Sequence, residues 1–351
     1  MSQTPVNVMI VDDSAVVRGM VRRAFDEVEE ISLVAAMNDG QEAVDEIDKY
    51  DVDVIILDIE MPRMDGVTAL PLLLKASPKT RIVMASTLTM KGADISMKCL
   101  TLGASDYIEK PVSGSSEAYY RDLIAKVKAL GGLRQLAPKL DSAASAFAPK
   151  GRVKYPMIPP KALAIASSTG GPQVLGQVLK ELKGKLTRVP IFITQHMPAN
   201  FTTILAKNLS EEVGREVYEA KEEQVIEAGG IYLAPGDYHM ELVKKENDVV
   251  VVLNQGEQVN FCRPAADPMI ESLVKIYKSN LMLAVFTGMG SDGLHGASAL
   301  KAVGGMVLAQ DEETSTVWGM PKAIVDNNLQ DAELPLNRLS HYIAKSFGEA
   351  H

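Results

Sequence analysis

Two sets of side chains in this sequence could do chemistry. The first is Asp12, Asp13, Asp58, Ser86 and Lys110. Clustered carboxylates repel and raise each other's pKa values unless a cation sits between them. Oxygen donors of this kind suit Mg2+, which takes one or two carboxylates, waters and a phosphate. A carboxylate can then act as nucleophile towards a phosphoryl group. A lysine and a hydroxyl can bind the phosphoryl oxygens. The second set is Ser168, His196 and Asp292. These types fit a nucleophile, its general base and an acid that orients the base.

Such sets work only if the chain gathers them. Within residues 1–130, Val6–Val11, Ile31–Ala36, Val54–Asp58, Arg81–Ser86 and Asp106–Glu109 predict strands. They are short, rich in Val and Ile and apolar throughout, as strands buried on both faces must be. Ala15–Asp26, Gln41–Asp48, Val67–Ala76, Ala93–Leu102 and Glu117–Leu130 predict the helices between and after them. Five β-α units in succession predict a parallel sheet with helices on both faces. Open sheets of this type bind ligands at the carboxyl ends of their strands. Those ends carry Asp12-Asp13, Asp58, Ser86-Thr87 and Lys110-Pro111, which therefore converge on one crevice.

Residues 131–160 break the pattern. This stretch holds five prolines, five alanines and three glycines. Its charges are Arg134, Lys139, Lys150, Arg152 and Lys154 against Asp141 alone, a basic linker. From Lys161 a second alternation begins. Ala162–Ser167, Ile191–Gln195, Ile231–Ala234 and Leu281–Thr287 predict strands. Gln173–Leu182, Phe201–Ser210, Pro268–Tyr277 and Leu294–Val303 predict helices. Glu241–Val243 and Val249–Leu253 flank a hairpin turn.

Ser168 follows the first of these strands, before Thr169-Gly170-Gly171-Pro172. Three readings fit that turn: an anion-binding loop, a helix cap, and an exposed nucleophile. Phosphate-loop glycine patterns are absent. His196 follows the strand Ile191–Gln195. Asp292 lies in the glycine-rich Thr287-Gly288-Met289-Gly290-Ser291-Asp292-Gly293, as an orienting acid or as the cap of the next helix. A metal site built from His196, His239, Asp267 and Asp292 is a further possibility.

Two resemblances join these observations. Residues 6–128 resemble a response-regulator receiver domain, through Val11-Asp12-Asp13-Ser14, Leu57-Asp58 with the following Ile59-Glu60-Met61-Pro62, Ala85-Ser86-Thr87 and Lys110-Pro111. The resemblance implies Asp58 as phosphoacceptor. It implies Mg2+ held by Asp13, Asp58 and the Glu60 backbone carbonyl, with Asp12 behind them. Ser86, Tyr107 and Lys110 become the switch residues, and a cis Lys110–Pro111 bond is expected. Residues 161–348 resemble the catalytic domain of chemotaxis protein-glutamate methylesterases. The matching pieces are Ser168-Thr169-Gly170-Gly171, Thr194-Gln195-His196-Met197-Pro198, Leu233-Ala234-Pro235-Gly236-Asp237, His239-Met240 and Thr287-Gly288-Met289-Gly290 with Asp292-Gly293.

That resemblance implies Ser168 as nucleophile, His196 as base, Asp292 as orienting acid, and no metal or other cofactor in this half. Met289 is expected to serve the oxyanion through its N–H. The family pattern has Gly-Ala where this chain has Ala166-Ser167, which makes Ser167 a competitor. It commonly has Asn where this chain has Ser291. The implied activity is hydrolysis of glutamate methyl esters, and deamidation of glutamines, on chemoreceptors. A histidine kinase would supply the phosphoryl group and relieve cover of the catalytic crevice by the receiver.

The expected architecture is two doubly wound α/β domains. A flavodoxin-like receiver of five parallel strands spans 1–130, and a mostly parallel Rossmann-like domain with an antiparallel hairpin spans 161–351. The whole-chain arithmetic agrees. Its 351 residues suit two domains. A net charge of −9 lacks the basic footprint of a nucleic-acid binder. No apolar run approaches a bilayer span, and the N-terminus shows no secretory signal, so a cytoplasmic protein without membrane insertion is expected. With only Cys99 and Cys262, thiol and Cys-rich metal chemistry is set aside. The competing expectation is a receiver joined to a non-catalytic, protein-binding output domain.

Overall fold

A computed structural model describes residues 4–87, 89–110, 117–132 and 155–348. The chain divides into two compact units, Met1–Lys139 and Leu140–His351. The first contains β1 (Val6–Val11), α1 (Ala15–Asp26), β2 (Ile31–Met37), α2 (Gly40–Glu46), β3 (Val54–Asp58), α3 (Gly66–Ala76), β4 (Arg81–Ser86), α4 (Met90–Thr101), β5 (Asp106–Glu109) and α5 (Glu117–Gly131). The strands form one sheet of order β2-β1-β3-β4-β5. Every pairing in it is parallel. All five residues of β3 are buried, which explains why Val54-Ile55-Ile56-Leu57 is apolar without alternation. Side chains cap the helices where the sequence offers them: Ser14 for α1, Asp39 for α2, Asp65 for α3 and Thr89 for α4. The expected α2 ends early, because Ile47–Lys49 tightens into a 3-10 turn.

The second unit contains β6 (Ala162–Ser167), α6 (Gly171–Glu181), β7 (Ile191–Gln195), α7 (Ala199–Val213), β8 (Val217–Glu219), β9 (Ile231–Leu233), β10 (His239–Lys245), β11 (Asp248–Asn254), α8 (Ala266–Tyr277), β12 (Leu281–Val285), α9 (Leu294–Ala302), β13 (Met306–Gln310), α10 (Met320–Asp326), β14 (Ala332–Leu334) and α11 (Leu336–Ser346). Seven strands form a sheet of order β14-β13-β12-β6-β7-β9-β8, and all its pairings are parallel. The antiparallel hairpin β10-β11 forms its own two-stranded sheet. It packs on α8, and the Leu242 N–H donates to Ser272 Oγ at 3.0 Å. This hairpin delivers the loop that precedes α8.

Strands β8, β13 and β14 and helices α10 and α11 were not foreseen in the sequence. β8 and β14 have three residues each, too few for a period to register. Residues 133–154 of the expected linker lie outside the described residues. Tyr155, near its end, stacks on Tyr342 at 4.9 Å between ring centroids. No helix among the described residues is long and apolar enough to cross a membrane.

The core of the second unit includes Phe192, fully buried, with Tyr232 stacked at 5.7 Å and Tyr277 tilted against it at 6.3 Å. Removing its ring leaves a cavity that close-packed neighbours fill only in part. Phe192→Ala should therefore lower unfolding stability by about 3–5 kcal/mol, read by chemical denaturation.

Candidate functional sites

Both sheets change direction once, and each candidate site lies at that point. In the first unit the chain steps from β1 outwards to β2, then back across β1 to β3. The helices diverge there and leave a crevice between the ends of β1 and β3. Val11 pairs with Leu57, so Asp12 and Asp58 emerge side by side. Lys110, following β5, reaches both: its Nζ is 2.7 Å from Asp58 Oδ1 and 2.8 Å from Asp12 Oδ2. Ligand oxygens of Asp12, Asp13 and Asp58 lie within 4.8 Å of one another. Convergent carboxylate oxygens are the hard donors that Mg2+ takes, so this cluster is compatible with that ion.

A cavity of about 200 Å3 opens over this cluster, lined by Asp13, Asp58, Glu60, Ser86, Thr87 and Lys110 among others. Burial pushes the Asp58 carboxyl up to about 6; Lys110 opposes the rise and Asp12 adds to it. Ser86 is buried, with Oγ donating to the Thr87 carbonyl at 3.4 Å. Tyr107 is also buried, and Lys126 Nζ stands 5.4 Å over its ring. The expected cis bond at Pro111 lies outside the described residues.

In the second unit β6 is the starting strand, with β7 on one side and β12 on the other. Ser168, His196 and Asp292 follow these three neighbours. Ser167 and Gln195 are paired across β6 and β7, and the His196 N–H donates to the Ser167 carbonyl at 3.1 Å. Ser168 and His196 thus leave adjacent strand ends together. Gly170, at φ 76°, occupies the cap position of α6 without a side-chain bond, so Ser168 is not that helix's cap.

The two competing serines have different surroundings. Ser167 is fully buried, and its Oγ donates to Gln195 Oε1 at 2.7 Å. The Gln195 amide then donates to the Ser168 carbonyl at 2.9 Å and the His196 carbonyl at 3.2 Å. Ser167 is a packed anchor, while Ser168 is half-buried beyond it. Gln195 was not singled out in the sequence as a member of the site, although it lies inside a quoted motif. Gly288 closes the far side: a Cβ there would lie 2.8 Å from Ser168 Cβ. Only a glycine allows the β12 loop to approach the serine so closely. Met289 follows it and is half-buried.

Asp292 is almost completely buried, and its carboxylate is saturated. Oδ2 accepts from His196 Nε2 at 2.6 Å and from the Ala266 N–H at 2.5 Å. Oδ1 accepts from the N–H groups of Asp267 at 3.1 Å and Gly293 at 2.9 Å. The capping alternative is corrected in an instructive way. Asp292 does not cap its own helix α9, whose cap is Gly293 with no side-chain bond; it binds the N-terminus of α8 instead. Burial alone would raise this carboxyl, but the His196 bond and the α8 N–H groups outweigh it and hold it below the usual range.

His239 is buried elsewhere in the fold. Its Nε2 donates to the Glu257 carbonyl at 2.9 Å, and its Nδ1 accepts from the Ala265 N–H at 3.2 Å. With both nitrogens engaged by backbone, it holds the loop before α8 and offers no lone pair to a metal. Asp267 Oδ1 accepts from the Gly296 N–H at 2.7 Å, and burial pushes its carboxyl up to about 6.

One further group meets the site: Cys262 Sγ lies 3.4 Å from His196 Nδ1. The two residues are 66 positions apart, and no motif links them. Burial disfavours a charged imidazole, but Cys262 and Asp292 outweigh it and push His196 up to about 10.

A receiver-type acidic crevice and a Ser, His and Asp set at neighbouring strand ends on one chain define a response regulator with an enzymatic output unit. The family model described as CheB methylesterase matches residues 163–343, and the response regulator receiver domain model matches residues 8–117. A protein-glutamate methylesterase/protein-glutamine glutaminase of Azospirillum brasilense is 46% identical, over 97% of this chain and 92% of its own length. A second such protein, from Paramagnetospirillum magneticum, is 43% identical over 97% and 96%. The crystal structure of the Thermotoga maritima CheB methylesterase catalytic domain matches with a TM-score of 0.51 at 36% identity, covering 54% of this chain and 99% of that one. The chain belongs to the family of protein-glutamate methylesterases/protein-glutamine glutaminases.

The contrast between the serines can be measured directly. A fluorophosphonate probe should label the native chain and Ser167→Ala, and label Ser168→Ala not at all. Labelling lost only in Ser167→Ala would reverse the assignment.

Proposed function

We propose that the second unit hydrolyses γ-glutamyl methyl esters on chemoreceptors, and deamidates their glutamines, under control of phosphorylation in the first unit. The observation that carries this reading is the hydrogen bond of 2.6 Å between buried Asp292 and half-buried His196, set at the strand end beside Ser168 in a chain of this family.

Ser168 Oγ attacks the ester carbonyl as His196 takes its proton. Asp292 holds the ring and stabilises the imidazolium that forms. Its own hydrogen bonds to α8 keep it ionised for that task. The Met289 N–H supports the oxyanion. His196 returns the proton to the leaving oxygen, methanol departs, and water hydrolyses the acyl-enzyme by the same steps in reverse. A glutamine follows the same path with ammonia as leaving group. No metal or other cofactor takes part in this half.

In the first unit Asp58 is the phosphoacceptor. Asp13, Asp58 and the Glu60 carbonyl would hold Mg2+, with Asp12 behind them, and the ion would supply positive charge against a phosphoryl group. Lys110 can move from its two carboxylates to the phosphoryl oxygens, with Ser86 following and Tyr107 changing rotamer. The phosphodonor is a histidine kinase and the substrates are methylated receptors. Residues 1–130 form the receiver, 131–160 the linker and 161–351 the catalytic domain, in a protein of the cytoplasm.

The test is methanol release from methylated receptors, with and without acetyl phosphate and Mg2+. Acetyl phosphate should raise the rate in the native chain and leave Asp58→Ala unchanged. Asp292→Asn should fold and lose kcat by roughly ten-thousand-fold, because the ring is then held in the wrong tautomer. Absence of methanol release from the phosphorylated native chain would instead support the non-catalytic, protein-binding alternative.

A further inference from the structure

Cys262 meets the side of His196 that Asp292 leaves open. A neutral imidazole has one N–H and one lone pair. With Nε2–H donated to Asp292, Nδ1 is the atom left to accept a proton from Ser168. The Cys262 thiol stands on that atom, at 3.4 Å. If sulfur carries the shared proton, it donates into the Nδ1 lone pair. If Nδ1 carries the proton, the ring has no lone pair to offer. In either protonation state the nitrogen is engaged.

The contact is held from several directions. Val259 and Cys262 exchange two backbone hydrogen bonds, of 3.1 and 2.9 Å, closing a tight turn over Asn260 and Phe261. Both turn residues have positive φ, 51° and 62°. Turns of this kind favour glycine at the second position, so Phe261 carries strain that its surroundings must offset. Asn260 Nδ2 reaches Asp292 Oδ1 at 3.5 Å. Arg263 Nη1 donates to the carbonyls of Gln255 at 3.2 Å and Gly256 at 2.8 Å. The loop is thereby tied on both sides of the thiol.

We propose that Cys262 is a positioning residue, a latch that holds His196 by Nδ1 until the nucleophile takes its place. The proposal rests on the assignment of Ser168, His196 and Asp292 made above. Acylation forms no bond to sulfur. The shared proton leaves Nδ1 with the thiol, the freed lone pair accepts the Ser168 proton, and that proton passes to the departing methoxide oxygen. The charged and titratable groups facing His196 are Cys262 and Asp292; Asp267 lies behind Asp292, with Glu271 and His295 acting on Asp267 in turn.

The latch is tested by the pH dependence of kcat/KM for methanol release by the full chain, native and with Cys262→Ala or Cys262→Ser. Without the thiol the base should be free at lower pH. The acid limb should move down by about one pH unit or more, so both variants turn over about tenfold faster below the native limb. A cysteine that only shapes the loop would lower kcat at every pH and leave the limb in place, and that result overturns the proposal. The five histidines allow a second readout by 15N labelling, with His196→Gln to assign the resonance. The His196 titration midpoint should fall in both variants. A midpoint that falls in a chain releasing no methanol retains the latch and removes the esterase reading. Methanol release with limb and midpoint both unmoved removes the latch and keeps the esterase.

Discussion

Everything functional in this protein depends on strands that are buried on both faces. A parallel strand covered by helices on each side leaves little room for a charged side chain along its length. Charged and nucleophilic groups can emerge only where the strand ends and the backbone turns. Parallel pairing then puts all those ends on one edge. The point where strand order reverses spreads the flanking helices apart and opens a crevice there. The two sheets apply this constraint independently, between β1 and β3 in one unit and around β6 in the other. Asp12 beside Asp58, and Ser168 beside His196, are consequences of register.

The same burial drives two carboxylates in opposite directions. Asp58 sits among other acids with Lys110 as its cation, and desolvation wins, so its carboxyl rises. Asp292 is more deeply enclosed, yet it faces an imidazole and three backbone N–H groups, and its carboxyl falls. The difference is the number of donors aimed at the anion, since each hydrogen bond to the charged form favours it.

The second site is braced by the residues around it. Gln195 links the Ser167 hydroxyl to the Ser168 and His196 carbonyls, so one amide sets the spacing of two strand ends. The α8 N-terminus fixes Asp292, and the hairpin β10-β11 fixes α8 through Ser272. Part of the sheet decoration therefore acts at a distance on the Asp292–His196 geometry.

Sequence alone determined the two parallel architectures, because continuous apolar runs of five or six residues between amphipathic stretches admit few other folds. It also determined the principal site candidates, since chemistry-bearing residues directly followed those runs. Ser168, His196, Asp58 and Lys110 were legible for that reason. Local pattern could not separate Ser167 from Ser168, because the two are adjacent and chemically identical; burial against Gln195 gives Ser167 different surroundings. Nor could it tell which helix Asp292 would serve, since a capping residue reads the same whether its partner is near or distant in the chain. Cys262 was invisible altogether. Its position depends on a turn closed between Val259 and Cys262 and on the docking of α8. Contacts between residues far apart in sequence leave no period and no spacing to read, and only the packed tertiary structure brings them together.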